Sequence, residues 1–125
     1  MVLAIGIDIV EIDRIERAVE RLGERFINRI FTPAEREYCD SRGARFVHYA
    51  GRFAAKEAAM KALGTGWAGG VAWHEVEILP SAGGPPQLEL HGVARRRFDE
   101  LGAARALLTI SHTHALAIAQ FLFES

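Results

Sequence analysis

Two carboxylates and a lysine carry the chemistry that this sequence offers. Asp8 closes an apolar run, Glu57 interrupts an otherwise apolar stretch, and Lys61 follows Glu57 by four residues. At 3.6 residues per turn, Phe46, Ala50, Phe53, Glu57 and Met60 share one stripe of a helix. A carboxylate there must be neutralised, paired or bound to a cation, because burying a bare charge is costly. Glu57 therefore has two readings. One is an intrahelical pair with Lys61, with Arg52 and Lys56 flanking. The other is a metal and phosphate site. Asp8 also has two readings, as a cap for the helix that follows it or as a second oxygen donor. One or two carboxylates, with phosphate oxygens and waters completing the shell, are a common way to hold magnesium. His112 follows Ser111, and neighbours on a strand point to opposite faces, so the two read as a polar strand end facing a ligand and not as a hydrolase pair. There is no Gly-x-Ser-x-Gly, P-loop or Cys-x-x-Cys motif, and a turn between His112 and His114 disfavours a shared zinc. The residues alone lead to a magnesium-dependent site for a phosphorylated ligand.

The elements that must position these groups are legible from periodicity. Val2 to Val10 reads as a buried strand, with Leu3, Ile5, Ile7 and Ile9 on one face and Ala4, Gly6 and Asp8 on the other. Glu11 to Phe26 reads as an amphipathic helix whose core stripe is Ile12, Ile15, Val19, Leu22 and Phe26, loosened near Gly23. Its arginines, Arg14, Arg17, Arg21 and Arg25, fall in one band and its acids in another. That is either a salt-bridged solvated face or a ridge for an acidic protein partner. Thr32-Pro33-Ala34-Glu35 is a capping box opening a short helix to about Asp40. After a break at Ser41-Arg42-Gly43, the long helix runs from near Ala44 to Leu63 and is closed by Gly64.

Gly64 to Gly70 is a glycine-rich connection, Ala72 to Leu79 alternates as a strand, and residues 80–86 form a turn before a short strand, Gln87 to Leu90. Gly92 to Leu101 reads as a helix exposing Arg95, Arg96 and Arg97. Arg105 to Ser111 and Ala115 to Phe123 form a hairpin around Thr113-His114. This order points to an α+β fold with an antiparallel sheet packed on the long central helix.

The length of 125 residues fits a single domain spanning 1–125, and the net charge of -1 gives no global argument for nucleic acid or an anionic membrane. No apolar run approaches the roughly 18 residues of a membrane span, and no signal peptide is visible, so a cytoplasmic location is expected. The lone Cys39 can form no internal disulfide and reads as a packing or surface residue.

Together, four blocks resemble the short class of 4'-phosphopantetheinyl transferases, the holo-acyl-carrier-protein synthases. They are Gly6-Ile7-Asp8-Ile9-Val10-Glu11-Ile12, Arg29-Ile30-Phe31-Thr32-Pro33-Ala34-Glu35, Gly51 to Ala58 with Lys61 to Gly66, and Ile110-Ser111-His112-Thr113. The resemblance covers essentially the whole chain. It implies magnesium-dependent transfer of the phosphopantetheine arm of coenzyme A to a serine of apo-acyl carrier protein, releasing adenosine 3',5'-bisphosphate. It implies Asp8 and Glu57 as magnesium ligands. Lys61, Gly64, Thr65, Gly66, Ser111, His112 and Thr113 fall at positions that hold coenzyme A phosphates, with Arg45 and Pro86 as further contacts. Arg14 and Arg21 match the basic first helix that docks the carrier. It also implies a homotrimer with sites at subunit interfaces. The base that takes the serine proton is left open between Glu57, Asp8 and a metal-held water, and the carrier's pathway, fatty-acid or other, is not specified. Three departures touch ligand contacts: Gly84-Pro85-Pro86 where the family often has Gly-Lys-Pro, Ala59-Met60 where it has an aromatic and a serine, and His114 where it has lysine. A non-catalytic coenzyme A or carrier-binding module is the rival reading, and it would need neither Asp8 nor Glu57.

Overall fold

What positions Asp8 is the close approach of the first strand to the central helix. The computed structural model describes residues 1–65 and 70–125. β1 (Val2–Glu11) leads directly into α1 (Ile12–Leu22), followed by α2 (Glu24–Ile30), α3 (Pro33–Asp40) and α4 (Arg45–Leu63). A 3-10 turn (Trp73–Glu75), β2 (Val76–Leu79), β3 (Gln87–Leu90), α5 (Gly92–Glu100), β4 (Arg105–His112) and β5 (Leu116–Glu124) complete the order. One antiparallel sheet has the order β1-β5-β4, and β2 and β3 form a separate antiparallel pair. The expected α+β arrangement is present, with α4 lying across β1 and β5.

Register decides which residues meet α4. Gly6 lies opposite Phe121 and Leu108, Asp8 opposite Ala119 and Ile110, and Val10 opposite Ala117 and His112. These positions form the inner face, where Val10, Ala117, Ala119, Phe121 and Phe123 are buried. α4 answers with small residues: Ala54, Ala55, Ala58, Ala59 and Ala62 are all buried. The closest approach is at Gly6. A Cβ there would overlap the Ala58 carbonyl and come within 2.9 Å of the Ala62 nitrogen, both of them backbone atoms that cannot swing aside. Gly6→Ala is therefore expected to cost about 1–3 kcal/mol by overpacking and to push β1 off α4. A urea midpoint equal to the parent's would refute that tight approach.

Three expectations need correction. The first strand is buried on one face only: Ile5, Ile7 and Ile9 are exposed at 59%, 49% and 58%. In a three-stranded sheet with one helical layer, nothing among the described residues covers the other side. The first helix ends at Leu22, because Gly23 adopts φ 66, and α2 starts at Glu24. Leu22 consequently leaves the core and is 46% exposed. The start of the expected strand at Ala72 is a 3-10 turn, held by Glu75, whose side chain accepts from Ala72 N at 2.7 Å and Val93 N at 2.6 Å. Of the glycine connection, residues 66–69 lie outside the described residues.

The capping box forms as expected, and it extends into the core. Thr32 Oγ1 accepts from Glu35 N at 3.2 Å, and Glu35 Oε1 accepts from Thr32 N at 2.8 Å. The same carboxylate accepts from Ile78 N at 2.8 Å and pairs with Lys56 Nζ at 2.8 Å, both side chains being fully buried.

Candidate active site

Asp8 sits near the end of β1 on the inner face, and Glu57 and Lys61 lie one turn apart on α4 opposite it. Lys61 Nζ donates to Asp8 Oδ1 at 2.9 Å and to the Ile7 carbonyl at 3.0 Å. Lys61 is therefore the partner of Asp8, and Asp8 is not a helix cap: the N-cap position of α1 is Glu11, with no side-chain cap bond. The other oxygen, Asp8 Oδ2, is buried with no hydrogen-bond donor among the described residues. Glu57 is the one residue between Tyr49 and Met60 that is not fully buried.

The electrostatics follow from that crowding. Burial, then the charge of Asp8 and a hydrogen bond with it, push the Glu57 carboxyl up to about 7, against the opposing pull of Arg14 and Lys61. Two carboxyls meet here and Lys61 pairs with Asp8, so Glu57 holds a proton more readily than an ordinary carboxyl. An orphaned buried oxygen beside a second carboxyl suits a hard divalent cation in place of that proton. Among the described residues no group of three or more His, Cys, Asp or Glu side chains gathers to hold a metal. Asp8 and Glu57 would thus supply only part of a shell and leave room for ligand oxygens.

Beside this cluster runs the basic face of α1. Arg14, Arg17 and Arg21 line a groove of about 460 Å³ whose floor includes Ile15, Leu22, Phe26 and Phe53. The Leu22 that left the core is part of that floor. At the C-terminal end of α4, Gly64 takes a left-handed conformation with φ 75 and donates to the Lys61 carbonyl at 3.0 Å. Thr65 Oγ1 next to it is buried and has no hydrogen-bond partner among the described residues. Gly66 lies outside the described residues.

The remaining expected residues gather elsewhere. Arg45 opens α4, pairs with Asp40 at 3.2 Å and stacks over Phe46. It precedes Glu57 by twelve helical residues, roughly 18 Å along the axis. Pro86 and His112 line a cavity of about 220 Å³ with Tyr38, His48 and Arg52. Ser111 lies on the outer sheet face, in register with Ile118 and, across β5, Ile9. Thr113 Oγ1 accepts from Ala115 N and Leu116 N and staples the β4–β5 turn, with its own proton still available to a ligand. One chain therefore carries two separate clusters along α4, one of Asp8, Glu57 and Lys61 and one of Pro86, His112, His48 and Arg52, with Ser111 on the other side of the sheet.

Sequence reasoning missed His48, and it placed Arg52 beside Glu57. Arg52 is 4% exposed, lies 4.2 Å over the Tyr38 ring, and its buried Nε has no hydrogen-bond partner among the described residues. Burial first, then the charges of Arg52 and Arg42, lower the His48 imidazole below its ordinary range. That end of the molecule is suited to an anion. The signal was present: Arg45, His48 and Arg52 follow an i, i+3, i+7 pattern on one helix face. Cys39 is buried, and desolvation pushes its thiol up to about 12, which removes it from nucleophilic chemistry.

The chain as a whole is similar to known proteins. Residues 4–119 match the family model of the 4'-phosphopantetheinyl transferase superfamily. A holo-acyl-carrier-protein synthase of Solibacter usitatus is 47% identical over 125 residues, covering 100% of both chains. Among solved structures, the holo-acyl-carrier-protein synthase of Neisseria meningitidis superposes with a TM-score of 0.89 at 36% identity, covering 100% of both chains. That of Helicobacter pylori, in complex with coenzyme A, superposes with a TM-score of 0.84 at 32% identity, covering 96% of this chain and 99% of that one.

Proposed function

The chain belongs to the 4'-phosphopantetheinyl transferase superfamily, and on that premise we propose that it is a holo-acyl-carrier-protein synthase acting as one domain. It transfers the 4'-phosphopantetheine group from coenzyme A to a serine of apo-acyl carrier protein and releases adenosine 3',5'-bisphosphate. One observation carries the reading to residues: Asp8, Glu57 and Lys61 meet at one site in a chain similar over its full length to holo-acyl-carrier-protein synthases.

The nucleophile belongs to the carrier, which accounts for a site built of acids and bases without an activated serine or cysteine. Asp8 and Glu57 would hold magnesium, which when bound neutralises charge on the pyrophosphate oxygens. Lys61, half-exposed, holds Asp8 in place and offers its remaining donor to a phosphate oxygen. Thr65 offers a hydroxyl beside the same turn. Arg14 and Arg21 flank an apolar groove, so an acidic carrier helix can be steered by charge and seated by Leu22 and Phe26.

The separation of the two clusters along α4 and the uncovered apolar outer face, which includes Leu107 and Leu116 as well as the β1 isoleucines, favour self-association. A homotrimer joined through these faces would bring the Arg45, Pro86 and Ser111-His112-Thr113 end of one chain to the Asp8 end of another. It works in the cytoplasm, where coenzyme A and carrier proteins are available.

The decisive experiment incubates the chain with coenzyme A, magnesium and an apo-acyl carrier protein and weighs the carrier. A gain equal to one phosphopantetheine group is expected. Binding of the carrier without that gain would reduce the protein to a binding module. Reversing Arg14 and Arg21 to Glu is expected to raise the KM for carrier by about tenfold or more with the KM for coenzyme A kept. An unchanged carrier KM would return α1 to a solvated face.

A further inference from the structure

α5 was expected to expose all three of its arginines, and Arg97, with its side chain 43% exposed, also reaches onto α4. Its Nε donates to the Leu63 carbonyl at 3.3 Å. Its Nη2 lies 3.9 Å from where a Cβ on Gly64 would stand, and the exposed Glu100 carboxylate lies 3.6 Å from Nη1. Leu63 is the last residue of α4, and the end of a helix carries the negative pole of its macrodipole, roughly half an elementary charge. An anion is therefore ill placed at such an end. Yet the proposed phosphate-holding groups, Lys61 and the Gly64–Thr65 turn, stand at this one.

The local bonding divides the task. Gly64 N donates to the Lys61 carbonyl at 3.0 Å and Thr65 N to the Met60 carbonyl at 3.3 Å, so the turn satisfies two of the terminal carbonyls itself. The Leu63 carbonyl is satisfied from another element, by Arg97. A guanidinium there does two things: it caps the helix and it cancels the negative pole beside Lys61. Thr65 Oγ1, buried and unpartnered among the described residues, is the neutral donor next to that corrected end.

We infer that Arg97 is a positioning residue of the coenzyme A site, which caps α4 and offsets its negative pole so that the Gly64–Thr65 turn can face a phosphate. The inference rests on the transferase reading. It concerns binding of coenzyme A and not docking of the carrier, whose proposed groove lies on α1.

The test compares the full-length parent with Arg97→Gln and Arg97→Lys in steady-state transfer. Arg97→Gln is expected to raise the KM for coenzyme A by about three- to tenfold, the size of a favourable helix-pole interaction, with the carrier KM unchanged. Arg97→Lys keeps the charge and a donor, and it should return the KM to within about twofold of the parent. A merely structural arginine would move both KM values together or neither. An active Arg97→Gln with an unaltered coenzyme A KM overturns this role alone, whereas a parent that transfers nothing overturns the transferase reading and this role with it. Should Arg97→Gln not fold, Glu100→Gln decides. It removes an exposed negative charge beside the same site and is expected to lower the coenzyme A KM by about twofold, and no change there overturns the role.

Discussion

Glu57→Gln is expected to lower transfer by about 10²- to 10⁴-fold while making the metal-free protein more stable at pH 8. The substitution keeps shape and removes one negative charge, so both effects come from electrostatics. In the folded chain the Glu57 carboxyl is raised to about 7 by burial and by Asp8, against an ordinary value near 4.5 when unfolded. Between those values the folded state binds more protons than the unfolded state. Stability therefore falls as pH rises through that window, and the full cost is present above it. For a group only half buried, solvent screening reduces that cost to about 1–2 kcal/mol.

Glutamine has no such cost. In chelator, thermal melts at pH 5 and pH 8 should show the parent losing stability and the variant staying level by comparison. Added magnesium should stabilise the parent and leave the variant little changed, reversing their order. Because protons and the cation compete for Glu57, the magnesium needed for half-maximal transfer should rise as pH falls below about 7. A variant no more stable than the parent at pH 8 without metal would mean that the two carboxyls do not strain the fold.

The chemistry of that pair was legible because its members are anomalies in their own elements: an acid ending an apolar strand and an acid in an apolar helical stripe. Their meeting depends on Gly6, which carries no chemistry and whose meaning appears only when β1 lies against the backbone of α4. The pairing of Lys61 with Asp8 was missed for a related reason. Periodicity reports neighbours one turn apart, such as Glu57, whereas Asp8 is 53 positions away in the chain. Lys56 looked like a flanking charge and is a core residue, since nothing local foretells that Glu35 will supply its counter-charge.

The apolar run of β1 was read as a buried strand, and single-chain packing covers only one of its faces. Its outer isoleucines are an argument about assembly, and one chain holds no group that decides it. Arg97 was read only as exposed because α5 alone gives no reason for it to reach α4. The carbonyl it satisfies belongs to a different helix.

Lys56→Met should be the most damaging of the core substitutions, costing about 3–5 kcal/mol, because it leaves the Glu35 carboxylate buried without its counter-charge. All three donors of Lys56 are used: Glu35 at 2.8 Å, the Trp73 carbonyl at 3.0 Å and the Val76 carbonyl at 2.7 Å. Burial still holds its ammonium below the ordinary lysine range despite the attraction of Glu35. Adding Glu35→Gln should recover part of the loss, so the double variant is less unstable than the sum of the two singles. Urea titrations of the four proteins at pH 8 measure each of these differences.

The consequence for function lies in helix rotation. Glu57 follows Lys56 by one residue, about 100° round the helix axis. With Lys56 fixed by three bonds to α3 and the entry to β2, α4 has one rotation available, and in it Glu57 faces β1 and Asp8. If Lys56→Met were as stable as the parent at pH 8, the buried pair would hold nothing, and the orientation of Glu57 would have to come from the alanine packing of α4 alone.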